Sequence, residues 1–263
     1  MAEHAELLGY IKATGRPGDL STYRGKNVAF HVSANTETRC AFHCAIRVPF
    51  ARFSFRLGAE VIFTAAGAKD LRQVVTDSSA VEELIESAVK RLTMFKTEFN
   101  IKPVVCFEGA LSPPEAQGGI FLRCWGNRDI FDAQRKIGQQ MHKALEKVGI
   151  FCIQCPGYAS AQCGSLGERK EVALVVGMHY DIFQWKCPRV MYDLAEDGKG
   201  LLVELDSVMK DWGLHNQYDL TLAFTLFATL NQDENQPLQP KEAFTKAINK
   251  AKSGASGATA GRK

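Results

Sequence analysis

The stretch Tyr23-Arg-Gly-Lys-Asn-Val-Ala-Phe-His-Val32 constrains the fold more than any other. Val28-Ala-Phe30 is a short apolar run launched from Gly25, with the length and texture of a buried parallel strand. Similar runs recur at Lys102–Glu108, Ile150–Ile153 and Val172–Val176. Between them lie stretches of helical periodicity: Val81–Phe99, with Leu84, Ile85, Ala88, Leu92 and Phe95 on one face, Asp129–Val148 stopped by Gly149, and small-residue Ala159–Leu166. Strands alternating with helices predict an α/β protein, its mainly parallel central sheet flanked by helices. A strand so near the N-terminus takes the central place. Its carboxyl end, at His31, then faces the crevice where such sheets bind ligands.

The remaining elements fit around that plan. Ala5–Thr14 reads as a short amphipathic helix ended by Gly15-Arg-Pro-Gly18. Asn35–Ile46 reads as helical, and the alternation at Phe50, Phe53, Phe55 and Leu57 reads as an edge strand or hairpin, with Val61–Thr64 as another. Val190–Asp193 and Leu201–Glu204 flank Glu196-Asp-Gly-Lys-Gly200 as a hairpin. Asp206–Trp212 and Tyr218–Leu230 are predicted helices. One domain is expected over 1–235, then a basic helical C-terminal extension at 236–252 and a low-complexity, disordered tail at 253–263.

With 263 residues, 46% hydrophobic and 23% charged, the chain can bury a real core. A formal charge of +3 leaves any nucleic-acid contact to local patches. No apolar run approaches membrane-spanning length, and the first residues lack the basic start of a signal peptide. The eight cysteines sit in apolar segments and are expected to be reduced thiols of an intracellular protein, nuclear or cytoplasmic. Cys152-x-x-Cys155 with Cys163, and Cys40 with His43 and Cys44, have ligand-like spacings, but core packing is the expected role. Trp125, Trp185 and Trp212 are read as buried anchors, and Ser160 and Ser165 lack the context of a nucleophile.

Several stretches together resemble the flap endonuclease, exonuclease 1 and XPG family of structure-specific 5′ nucleases, within the PIN-like superfamily. Leu7-Leu-Gly-Tyr-Ile-Lys12 followed by Tyr23–Phe30 is similar to that family's opening helix and first strand. Asn100-Ile-Lys-Pro-Val-Val-Cys-Phe-Glu-Gly109 resembles its Gly-Ile-Lys-Pro strand ending in Phe-Asp-Gly. Pro156-Gly-Tyr-Ala-Ser-Ala-Gln162 stands where the family has Pro-Tyr-Glu-Ala-Asp-Ala-Gln, and Val175–Asp181 where it has Thr-Glu-Asp-Ser-Asp. The likeness covers roughly Leu7–Leu230.

Such nucleases hydrolyse phosphodiesters with a pair of divalent ions held by carboxylates at the strand ends, since hard Mg²⁺ takes oxygen ligands. Carried over by position, the resemblance places His31, Glu108, Tyr158, Ser160, His179 and Asp181 at those points, so only Glu108 and Asp181 remain acids. The region after Gly109, where the family has a basic helical arch, is rich in proline and glycine instead. The resemblance therefore implies a degenerate member without catalytic residues, needing no cofactor and acting as a scaffold with a protein partner or as a binder of DNA or RNA. The alternative is a residual nuclease whose His31, Glu108, His179 and Asp181 hold Mn²⁺, Zn²⁺ or Mg²⁺. Lys241, Lys246, Lys250 and Lys252 form a basic helix suited to phosphate backbone. Neither a membrane nor a small-molecule substrate is expected.

Overall fold

The computed structural model describes residues 2–32, 78–107, 128–177, 179–231 and 239–260. The expectations for 35–46 and 48–76, for the glycine- and proline-rich loop, for Glu108 and for Trp125 lie outside them. In chain order the elements are α1 (Ala2–Ala13), β1 (Arg16–Asp19), a 3-10 turn (Leu20–Tyr23), β2 (Asn27–Val32), α2 (Ser78–Glu98), β3 (Lys102–Phe107), α3 (Arg128–Lys147) and β4 (Phe151–Gln154). Then follow α4 (Ala159–Glu168), β5 (Leu174–Val176), a 3-10 helix (Tyr180–Trp185), β6 (Arg189–Tyr192), β7 (Lys199–Glu204), α5 (Leu205–Trp212), α6 (Gln217–Asn231) and α7 (Pro240–Ala260).

The sheet order is β1-β7-β6-β5-β2-β3-β4. β2 is flanked by β3 and β5, both parallel to it, and β4 and β6 extend the parallel run. β6 and β7 form the expected hairpin, and β1 adds antiparallel to β7. The sheet is thus mainly parallel, with an antiparallel margin.

Alternation along β2 divides the core. Val28 and Phe30 turn to the layer of α2 and α3, where Phe30 stacks near Phe95 at 6.1 Å between ring centroids. Val81, Leu84, Ala88, Leu92 and Phe95 of α2, with Ile137, Met141 and Leu145 of α3, recur at helical spacing and are buried there. Ala29 turns to the opposite layer, built from α1, α4 and the C-terminal helices. In that layer Trp212 meets Phe224 and Phe244 edge to face at 5.9 and 4.9 Å. Gly213, at φ 62°, ends α5, and Leu214 N–H then donates back to the Met209 carbonyl at 2.8 Å. Among the described residues no helix is long and apolar enough to cross a membrane.

Three expectations need correction. Arg16–Asp19 does more than terminate α1: it is the outermost strand, a position that accepts Pro17 because its missing amide faces away from the ladder. Helix α7 continues to Ala260 rather than giving way to a disordered tail after Lys252, its alanines offsetting the low helix propensity of the glycines. Trp212 is buried, but Trp185 is 45% exposed, lying over Gly164 of α4 at the surface. The cysteine expectation agrees with the structure where it is described: Cys106, Cys155 and Cys163 are buried in the core and Cys152 is half-buried, all as free thiols.

Candidate functional site

The carboxyl ends of β2 and β5 define the site. His31 is the fifth residue of β2, paired in register with Cys106 of β3, and shares the sheet face of Ala29. β5 ends at Val176, and Gly177 follows. A Cβ there would lie 2.6 Å from Ile182 Cδ1 and 3.4 Å from His31 Cβ, so a side chain at this point would have to displace the Ile182 methyl. The turn delivers His179 and Asp181 into the start of the 3-10 helix. Their approach to His31 follows from sheet order, not from nearness in sequence.

The rings of His31 and His179 meet edge to face, 4.9 Å between centroids and 83° between planes. His31 is only 5% exposed, and burial, with His179 alongside, holds its pKa well below the usual histidine range. It is therefore a neutral imidazole at physiological pH. Tyr192, wholly buried in β6, donates its hydroxyl hydrogen to the His179 carbonyl at 3.3 Å. Burial raises the Tyr192 pKa, which keeps that donor protonated.

Ser160, buried in the first turn of α4, donates its hydroxyl to Asp181 Oδ2 at 2.6 Å. This bond ties α4 to the 3-10 helix. Asp181 Oδ1 is buried without a hydrogen-bond partner among the described residues. Gly164, further along α4, permits the same contact: a Cβ there would strike the Trp185 side chain and come within 3.0 Å of the Ile182 carbonyl oxygen.

The structure brings together His31 with His179, and Ser160 with Asp181. Tyr158, just before α4, is 45% exposed and forms no side-chain cap. Glu108 lies beyond the last described residue of β3. Lys241, Lys246 and Lys250 project from the exposed side of α7, whereas Lys252 is half-buried. Two site residues escaped the sequence reading: Tyr192, hidden in a strand pattern that does not distinguish it from core, and Gly177, whose only signal was its place directly after the most apolar run.

A metal pair of the kind implied by the resemblance does not fit the described residues. None of their histidines, cysteines or acids form a group of three or more able to hold a metal ion. Asp181 is the one carboxylate among the residues assembled here, and Ser160 already engages one of its oxygens. Two imidazoles are also poor ligands for Mg²⁺.

No protein-family model matches the sequence, and no curated protein matches it. Solved structures do. The catalytic core of Rad2 in complex with DNA substrate superposes with a TM-score of 0.60 at 17% identity, covering 92% of this chain and 66% of that one. Human GEN1 in complex with Holliday junction DNA gives 0.60 at 18%, covering 93% and 54%. Flap endonuclease-1 from Methanococcus jannaschii gives 0.55 at 18%, covering 91% and 76%. The chain spans about two thirds of the Rad2 core and about half of the GEN1 chain. Its fold is accordingly that of the Rad2, GEN1 and flap endonuclease-1 nucleases.

Proposed function

We propose that this protein is a catalytically inactive module of flap-endonuclease fold that binds nucleic acid or scaffolds a larger protein complex. The observation that carries the reading is the strand-end site itself. Where phosphodiester hydrolysis with paired cations needs several free carboxylates, this crevice presents a buried neutral histidine against a second imidazole, beside an aspartate bonded to a serine. Even counting Glu108, two carboxylates cannot neutralise two divalent cations, and loss of most metal ligands removes the electrostatic stabilisation on which such chemistry depends.

Nucleic acid is the favoured partner because Rad2 and GEN1 of the same fold are solved with DNA. The exposed lysines of α7 supply a surface for phosphate backbone. An intracellular setting, nuclear or cytoplasmic, agrees with free thiols and a DNA or RNA partner.

The test is a cleavage assay on 5′-flap and nicked duplex DNA with Mg²⁺, Mn²⁺ and Zn²⁺, paired with a binding assay on the same substrates. The expected result is binding without metal-dependent cleavage. Cleavage that disappears in Asp181→Ala would establish a residual nuclease instead.

A further inference from the structure

A second concavity lies at the opposite end of the sheet. Lys26 precedes β2, Ala173 precedes β5 and Arg189 opens β6, so they line the amino-terminal ends of the parallel strands. Together with β1, β7 and the 3-10 turn they enclose a groove of about 690 Å³. That volume falls within the range of small-ligand sites.

The walls are built around one carboxylate. Arg189 lies opposite Glu204 in the β6–β7 ladder, and Arg16 lies on the neighbouring strand. Arg189 Nε and Arg16 Nη2 each donate to Glu204 at 3.1 Å, on separate oxygens. Glu204 thus holds two guanidiniums side by side, and each keeps further N–H groups for another acceptor. Lys26 and Lys199 also line the groove, Lys199 already paired with Asp197 at 3.3 Å, so Lys26 and the two guanidiniums face the carboxylates of Glu204 and Asp19. Asp19 is directed at its own backbone, accepting from Ser21 N–H at 2.8 Å. Lys26 has no ion-pair partner among the described residues.

Tyr23 supplies the independent observation. It lines the groove, is only 8% exposed, and its hydroxyl has no hydrogen-bond partner among the described residues. Its ring is buried while its hydroxyl opens into the groove, where it can donate to a ligand. Burial raises its pKa, so it stays a donor at neutral pH. The groove therefore holds more cationic than anionic side chains, with Tyr23 adding a neutral donor.

We propose that this groove is a phosphate-binding site that takes a nucleotide, either free or within a nucleic-acid strand. Tetrahedrally placed phosphate oxygens accept from guanidinium forks, an ammonium and a phenol together, whereas the two coplanar oxygens of a carboxylate reach fewer. The site does not depend on the reading of the strand-end crevice, since it lies at the other end of the sheet.

The full chain is titrated by calorimetry and thermal shift with inorganic phosphate, adenosine 5′-monophosphate, a labelled oligothymidylate and a polyglutamate peptide. Phosphate and the nucleotide are expected to raise Tm and to compete with each other. Tyr23→Phe and Lys26→Glu each weaken nucleotide binding about tenfold, while Tyr23→Phe leaves the ligand-free Tm unchanged. Displacement of the oligonucleotide by the nucleotide identifies a strand as the source of the phosphate; nucleotide binding without oligonucleotide binding identifies a free one. The proposal is overturned by absence of phosphate binding, by binding indifferent to both substitutions, or by polyglutamate binding as tightly as the nucleotide.

Discussion

The imidazole of His31 meets that of His179 edge to face at 4.9 Å, with His31 sealed behind the end of the central strand. Its depressed pKa makes folding and protonation oppose one another. The unfolded chain takes a proton on this residue near pH 6.5, while the folded chain does not. As pH falls through that value the unfolded state binds more protons, so stability declines towards the depressed folded pKa. At neutral pH and above, this residue's contribution is fully present. Tm should fall between pH 7.5 and 5, and His31→Gln should flatten its share of the slope, up to about 1.4 kcal/mol per pH unit. Denaturant midpoints measured across that range for both proteins provide the check.

Ser160→Ala removes the donor that holds Asp181 to α4. With Asp181 Oδ1 already unsatisfied, the expected loss is about 1–3 kcal/mol of stability. Asp181→Asn retains a group able to pair with the serine and should cost less. Chemical denaturation of Ser160→Ala, Asp181→Ala and the double variant measures the coupling, with Asp181→Asn run alongside.

Gly164→Ala tests the close contact between α4 and the 3-10 helix. The new methyl group would strike Trp185 and crowd the Ile182 carbonyl, forcing the two elements apart. A loss of about 1–3 kcal/mol is expected. Because Trp185 sits at the contact, its fluorescence should shift in the same variant, and an unchanged spectrum with unchanged stability would contradict the packing described.

The α7 lysines bear on nucleic-acid affinity. Replacing Lys241, Lys246 and Lys250 with glutamine should reduce the dependence of log affinity on log salt by about 0.7–0.9 per lost phosphate contact. Affinity measured over a salt series separates this from a sequence-specific effect. An unchanged slope would remove α7 from the interface.

Much of the architecture was legible because parallel strands are written as short apolar runs, and β2, β3 and β5 all carry that signature. β1 was not, since Arg-Pro-Gly-Asp has neither alternation nor β-branched residues; its pairing with β7 supplies the strand. Lys252 offered no local stop signal beyond composition, and α7 passes through it because its buried alanines, Ala243, Ala247 and Ala251, dock the preceding turns. In the candidate site, resemblance in motif order singled out His31, His179, Ser160 and Asp181, which the fold brings into two contacting pairs. It said nothing of the Ser160–Asp181 bond or of Tyr192 beneath His179, which arise only when β5, β6 and α4 are packed.

Pro17 has an effect beyond its own backbone. Outermost in the described sheet, in a strand of four residues, it offers an approaching chain no amide hydrogen on the open side. A second molecule trying to knit itself onto that flank finds a missing stitch, so crowding should not zip copies together through β1.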